Sequence, residues 1–554
     1  MRLRTFLLTF FVVPLVSSCG GGGGSSTGTT EPESQVMQIS FIDSLPGNNA
    51  SGVGVDSKGF SLVHTSVTGA EFSYQLDCDG LDTFTVQRSL EDITVASLDQ
   101  LVDHKFVCPD GLTAETAYTF GVAETRADGG QLEGSVEFTA GTDSSSINVL
   151  LEKQSSREDV DAFFANYVSG ALLNEIDLPS SLQLLILTSI IDLAESEWAN
   201  LANPAGLYDV VSQRVQYGSM QPDGVFSREL TGLVAYPDVE AVSTFEKRTE
   251  VILLTHATGS TPSDLNESDA WYVLANLFAA QGYLVVAPDN YGRGGTAAFP
   301  ETYLQANRTG LNAVALLSSV VEDPRYGFVF DNREPVNLNI IGYSQGGHSA
   351  IASWLEIVRG HGSRFQTRKL SSGGAPLNLY KTVRGVMQHI DGSCGGDGYC
   401  DLVDSETSVP FATDRILPAL ISYSDTGLTS DDVISEGALN PDFVSGFLGD
   451  DLAYDNVRIL MQLGSFTNVV NRGEVFSDAL VNIDLYHSEY DRLVPVSNTL
   501  EFASLLNGTV AMTLHEDVCN SPGFQILFES IDKVGVVHTI CGLTVLDQVF
   551  SQLR

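Results

Sequence analysis

Basic residues are scarce in this chain: 28 Lys and Arg stand against 70 Asp and Glu, a formal net charge of −42. A surface that acidic repels nucleic acid and anionic membrane surfaces, so nucleic acid is not an expected partner, and it favours solubility in salty surroundings. We read it as a property of habitat and not of mechanism. Beyond the N-terminus no segment is long and apolar enough to be expected to cross a bilayer. No C-x-x-C or H-x-x-x-H spacing occurs, so no metal site is expected. No internal repeat is present either. What the chain does have is apolar substance: 43% hydrophobic against 18% charged residues over 554 positions can build a sizeable core and exceeds one ordinary domain.

The N-terminus opens with Met1-Arg2-Leu3-Arg4, continues almost entirely apolar from Phe6 to Val16, and reaches Val16-Ser17-Ser18-Cys19-Gly20. A basic start, a short apolar stretch and small residues before a cut are the parts of an export signal over residues 1–18. The cysteine directly after the small residues resembles a bacterial lipobox, in which Cys19 would carry lipid and become the mature N-terminus; the alternative is an ordinary secretory signal with a chance cysteine. Residues 19–36, rich in Gly, Ser and Thr, read as a flexible tether. Gly20 supplies no aspartate retention signal, so the expected location is the cell envelope, anchored to the outer membrane. Setting Cys19 aside leaves six cysteines, which permit 15 connectivities; proximity along the chain favours Cys78 with Cys108, Cys394 with Cys400, and Cys519 with Cys541. Disulfides suit an exported chain.

Residues 37–142 alternate apolar and polar over short runs such as Glu71–Leu76 and Tyr118–Ala123, with Gly/Asp turns between them. That pattern predicts a small β-sandwich of immunoglobulin or fibronectin-III kind, acting as a spacer or binding module. Residues 146–204 change period and predict helices over Val160–Leu173 and Leu182–Ala199. From 205 to 554 strands and helices alternate. Val215–Tyr217 and Leu230–Tyr236 predict an opening hairpin, and Val251–Thr255, Tyr283–Ala287, Val336–Ile341 and Asn482–Tyr486 are buried-type apolar runs, each before a turn and a helix. This is an α/β pattern: a mostly parallel sheet covered on both faces, whose chemistry lies beyond the carboxyl ends of the strands.

After Val336–Ile341 comes Gly342-Tyr343-Ser344-Gln345-Gly346-Gly347, a G-x-S-x-G turn with a strand before it and a predicted helix, Ser349–Val358, after it. The turn is so sharp that small residues are needed on both sides; Gly342 and Gly346 supply them, and Ser344 is lifted to a helix N-terminus as the candidate nucleophile. The bland reading is a Gly-rich turn with a structural serine. A serine hydroxyl needs a base, and in this strand–turn–helix setting the partners follow as acid and then histidine. Asp491 sits after Asn482–Tyr486 and just before a predicted helix near Val496, with Glu489 and Asp484 as competing acids. His538 is expected in a loop before a last helix, Leu543–Leu553, where a Cys519–Cys541 bridge would stiffen it; His515, at the end of a predicted strand Thr509–Leu514, is the second choice. Two N–H groups must meet the oxyanion: Gln345, after the nucleophile, and Thr258 in the loop Thr255-His256-Ala257-Thr258-Gly259-Ser260, with Ala257 as the alternative and His256 as a structural pin.

The elbow at Gly342–Gly347, the segments Gly282–Asp289 and Ser372-Gly373-Gly374-Ala375-Pro376-Leu377-Asn378-Leu379, and Asp491-x-x-Val494-Pro495 together resemble the secretory, lipase-A-like group of α/β-hydrolases, over residues 206–554. The resemblance implies an α/β-hydrolase fold and a Ser344–Asp491–His538 triad working through an acyl-Ser344 intermediate without cofactor. It also implies a carboxylic ester substrate (lipid, polyester or acylated polysaccharide) and a lid between the sixth and seventh strands. Two departures stand against long-chain triglyceride as the substrate: His256 is followed by Ala257 where glycine is more usual, and the N-terminal β segment and lipobox lie outside the pattern. The stretch 380–478 is far longer than an ordinary connection and predicts helices at Pro441–Leu448, capped by Asn440, and at Asp455–Phe466. Two other readings share these residues. A serine peptidase of the same fold would need a cluster to hold a peptide terminus, and none is evident. A surface binding protein with an inactive hydrolase domain fits poorly with an intact Ser, Asp and His.

Overall fold

The computed structural model describes residues 37–554 apart from 55–58, 77, 79–81, 92, 94–97, 143–145, 173–195, 240–244, 332, 402, 404, 425, 450, 479 and 531–533. The export signal, the tether and Cys19, together with most of the helix expected over Leu182–Ala199, lie outside the described residues.

The larger sheet has nine strands, β1–β9: Asn148–Ser155, Val210–Met220, Phe226–Pro237, Glu250–Thr255, Leu284–Pro288, Val336–Tyr343, Phe365–Gly373, Asn482–Tyr486 and Ala511–His515. Their spatial order is β1-β2-β3-β5-β4-β6-β7-β8-β9. The first three strands and the β3–β5 pair are antiparallel, and every pair from β5 onward is parallel. The reversal of order at β4 and β5 is what a right-handed crossover on each side of a doubly covered sheet produces. Side chains alternate between two cores: Ile252 and Leu254 of β4 face one, Val251 and Leu253 the other. On the first face lie α1 (Arg157–Tyr167), α2 (Ala270–Ala280) and the C-terminal α8 (Val534–Leu553); on the second lie α3 (Ala306–Glu322), α4 (Gln345–Gly360) and α7 (Ser497–Leu506).

Three expectations need correcting. The segment 146–204 is not helical throughout: Asn148–Ser155 is β1, an edge strand of the large sheet, and its charged residues face solvent while its backbone pairs with β2. The strand β7 was not anticipated, because Gln366, Thr367, Arg368 and Lys369 mask its buried end. Finally, Gly535–Leu553 is apolar and long enough to cross a membrane by composition, but 72% of it is buried against the sheet, so its apolarity is that of a core helix.

Residues 37–140 form a five-stranded and a four-stranded sheet that share an aromatic core of Phe60, Phe106, Phe120 and Phe138. This unit does not stand off as a spacer. Arg308 of α3 reaches Asp43 with two hydrogen bonds of 3.0 and 2.8 Å, both groups buried. The strand Asp82–Ser89 pairs antiparallel with residues 468–470, through Ser89 N–H to Asn468 O at 2.9 Å and Val470 N–H to Gln87 O at 2.9 Å. Val63 and Leu101 pack on Ile459 and Leu463.

Between β7 and β8 the chain makes a largely helical excursion that includes α5 (Leu379–Asp391), Pro441–Leu448 and α6 (Asp455–Leu463). It has a core of its own around Leu417, Phe443, Phe447 and Met461. Disulfides join Cys78–Cys108, Cys394–Cys400 and Cys519–Cys541.

Candidate active site

The elbow follows from packing that admits no side chain two residues to either side of Ser344. A Cβ on Gly342 would meet Gly346 O at 2.1 Å, and one on Gly346 would meet Thr255 O at 2.1 Å. Thr255 Oγ1 staples the turn by donating to Gly346 O at 2.7 Å, and the Ser344 N–H donates to Gly373 O at 2.8 Å. Ser344 itself takes φ 58°, a conformation that non-glycine residues adopt at a cost and that over-determined surroundings maintain. Gln345 begins α4, so its N–H is one of the helix donors that have no partner within the helix.

Ser344 and His538 line one cavity of about 500 Å³, with Ala257, Thr258, Trp271 and Phe411 also in its wall. His538 Nδ1 lies 2.7 Å from Asp491 Oδ2. A carboxylate only accepts, so Nδ1 carries the proton and Nε2 presents a lone pair; that Nε2 is buried and has no hydrogen-bond partner among the described residues. Asp491 Oδ1 accepts the N–H groups of Leu493 and Val494, both at 3.0 Å. Burial alone would raise the Asp491 carboxyl, but His538, His487 and the Val494 N–H outweigh it and hold it below the usual carboxylate range. Tyr343 donates its hydroxyl to His538 O at 2.8 Å; burial, and then the Asp491 charge, push that phenol well above its ordinary value, so it remains a donor.

The competing residues lie elsewhere. Glu489 is exposed. Asp484 pairs with Lys369 at 2.9 Å, and His515 stacks on Tyr486 at 4.4 Å between centroids with its Nε2 3.8 Å from Asp484. His538 is not in a loop, as expected, but in the first turns of α8, which Cys519–Cys541 ties to the chain after β9. The β-branched run Val536-Val537-His538-Thr539-Ile540 disfavours helix, and burial against the sheet overrides it.

The loop after β4 is held from both sides. His256, fully buried, reaches Ala257 O at 2.9 Å and Asp289 O at 3.0 Å. Arg293 donates to Ser260 O at 2.9 Å and to Gly259 O. Asp269 caps α2 through Trp271 N–H at 2.8 Å and also accepts Ser260 Oγ at 2.7 Å. Thr258 Oγ1 lies 2.8 Å from the Tyr303 hydroxyl, and Gln345 Nε2 donates to Glu301. Arg293, Glu301, Tyr303 and Asp269 were not foreseen. Of these only Asp269 had a local signal, an N-cap residue directly before an apolar helical run.

No protein-family model matches the chain, and no curated protein does. Among solved structures it is similar to a Legionella pneumophila protein provisionally described as a hydrolase, at 18% identity over 74% of this chain and 97% of that one, TM-score 0.47. It is also similar to the rice cell wall degrading esterase LipA of Xanthomonas oryzae, at 16% identity over 74% and 97%, TM-score 0.45. A third likeness is a puromycin-hydrolyzing peptidase of Mycobacterium tuberculosis, at 16% identity over 61% and 39%, TM-score 0.31. Likenesses this distant do not bear on the reaction. The resemblance to α/β-hydrolases stands on the strand order and the nucleophile turn.

Proposed function

We propose that this chain is a serine hydrolase that cleaves carboxylic esters. The observation that carries the reading is the buried His538–Asp491 pair at 2.7 Å, with His538 lining the same cavity as Ser344, which sits at the tip of a strained turn. In the reaction, His538 Nε2 takes the Ser344 hydroxyl proton as the oxygen attacks the ester carbonyl. Asp491 keeps Nδ1 protonated and stabilises the imidazolium that forms. The oxyanion is met by the Gln345 N–H at the start of α4 and by the Thr258 N–H. Collapse passes the proton from His538 to the departing alcohol and leaves acyl-Ser344; water, deprotonated by the same Nε2, releases the acid. The wall of Trp271, Phe411, Leu543 and Leu546 suits an apolar acyl group. Phe411 is the excursion's contribution to that wall, which supports a lid role for it.

We propose as well that Cys19 carries lipid and holds the enzyme at the outer membrane. The deciding experiment for the reaction is hydrolysis of p-nitrophenyl esters from acetate to palmitate, wild type beside Ser344→Ala. Turnover in the wild type that is lost in the variant supports the reading. Turnover of aminoacyl amides without turnover of any ester would replace it with the peptidase.

A further inference from the structure

Asp491 has a second histidine behind it. His487, at the end of β8, is 1% exposed, and its Nε2 lies 2.8 Å from Val494 O and 3.6 Å from Asp491 Oδ2. Its Nδ1 lies 2.7 Å from the Thr499 hydroxyl on α7, a side chain that is itself buried. The partners assign the proton. A carbonyl can only accept, so Nε2–H donates to Val494 O, and Nδ1 accepts from the Thr499 O–H. Burial lowers the pKa of this ring, more than the nearby Asp491 charge raises it, in keeping with a neutral imidazole.

The hydrogen bonds form one directed chain. Thr499 O–H donates to His487, His487 N–H to the Val494 carbonyl, and the Val494 N–H to Asp491 Oδ1 at 3.0 Å, while Oδ2 is left for His538. Each oxygen of the carboxylate therefore has a separate task, and the loop that sets this division is fastened to α7 through an imidazole. Without that fastening Val494 loses the bond on its carbonyl side, and of the two N–H groups on Oδ1 only that of Leu493 keeps its hold. The carboxylate is then less firmly turned toward His538.

We propose that His487 is a positioning residue: it acts through Val494 to orient Asp491 toward His538. The inference rests on the proposed role of Asp491, and its test includes a readout that needs no substrate. His487→Phe keeps the ring volume and removes both hydrogen bonds; His487→Gln keeps a donor near the position of Nε2; Thr499→Val removes only the hydroxyl at the head of the chain. With p-nitrophenyl esters, His487→Phe is expected to lower kcat by about 10–100-fold with KM within about twofold, as a small misplacement of a catalytic group does. His487→Gln should recover most of the loss, and Thr499→Val should show a smaller loss in the same direction. The substrate-free readout is the low-field proton NMR resonance of His538 Nδ1–H, assigned by its absence in His538→Ala; it should shift or broaden in His487→Phe and return in His487→Gln. An unchanged resonance with an unchanged kcat in folded His487→Phe overturns the proposal. So does activity that falls only in step with melting temperature while the resonance stays in place. Should His487→Phe fail to fold, Thr499→Val and His487→Gln decide by the same two readouts. If the wild type turns over no ester yet the resonance responds as described, the ester reading fails and the positioning role of His487 stands.

Discussion

Cutting the ion pair between the N-terminal β unit and the nine-stranded sheet's helix layer should cost about 3 kcal/mol. Asp43 and Arg308 are 7% and 6% exposed, and their two hydrogen bonds are 3.0 and 2.8 Å. Asp43→Ala leaves the guanidinium buried, and breaking such a pair from one side costs about 3–5 kcal/mol. The lower end applies because Arg308 keeps the carbonyls of Pro222 at 3.0 Å and Tyr423 at 3.3 Å. Arg308→Met leaves the Asp43 carboxylate buried with no such reserve, so it should cost at least as much. The double variant Asp43→Ala/Arg308→Met removes both charges and should lie within about 1–2 kcal/mol of wild type, because the desolvation of two ions is relieved together. Urea denaturation can follow the two units separately. All three tryptophans, Trp198, Trp271 and Trp354, pack in the cores of the nine-stranded sheet, whereas far-UV circular dichroism reports both units. Asp43→Ala should lower the midpoint and separate the two signals as the β unit loosens first. Equal midpoints in Asp43→Ala and wild type, or a double variant as damaged as the two singles added together, would refute the reasoning.

Other expectations follow from the same contacts. Asp491→Asn should keep the fold and lower kcat about 10³–10⁴-fold on esters, since an amide that accepts the Leu493 and Val494 N–H groups turns its own N–H₂ toward His538 and imposes the wrong tautomer. Because folding lowers the Asp491 carboxyl, that group contributes stability in full above its ordinary value of about 4, and the contribution is lost as pH falls below it; melts between pH 7 and pH 3 measure this, and Asp491→Asn should flatten the acid side. Gly346→Ala places a methyl 2.1 Å from the Thr255 carbonyl, a backbone atom held in β4, and should abolish activity and lower the melting temperature in a thermal scan, whereas Gly473→Ala, with nothing within 4 Å, should do neither. Cys19→Ala should move the protein from the membrane to the soluble fraction and abolish incorporation of labelled palmitate.

Legibility followed the range of the forces involved. The elbow could be read because its demands are local: two glycines around one serine, after an apolar strand and before a helix, all within a dozen or so residues. Asp491 could be read for a similar reason, as the carboxylate after a buried strand. His538 is the candidate that chain order leaves behind Asp491, yet it lies in a helix and not in the expected loop, because a helix buried on most sides shows no amphipathic period and its β-branched turn argues against helix. The strand Asn148–Ser155 was missed because an edge strand with charges facing water does not show the apolar run that marked the central strands.

By itself the sequence determined the alternation of strands and helices and the sharp turn at Ser344, which depend on residues close together in the chain, and it favoured the pairing of neighbouring cysteines. The tertiary structure decided what depends on distant segments meeting. Arg308 finds Asp43 across 265 positions, His538 finds Asp491 across 47, and the β unit becomes a brace for the excursion that walls the cavity. No local pattern encodes those partners, because a buried charge or an imidazole gains its role only from what the fold sets against it in the absence of water.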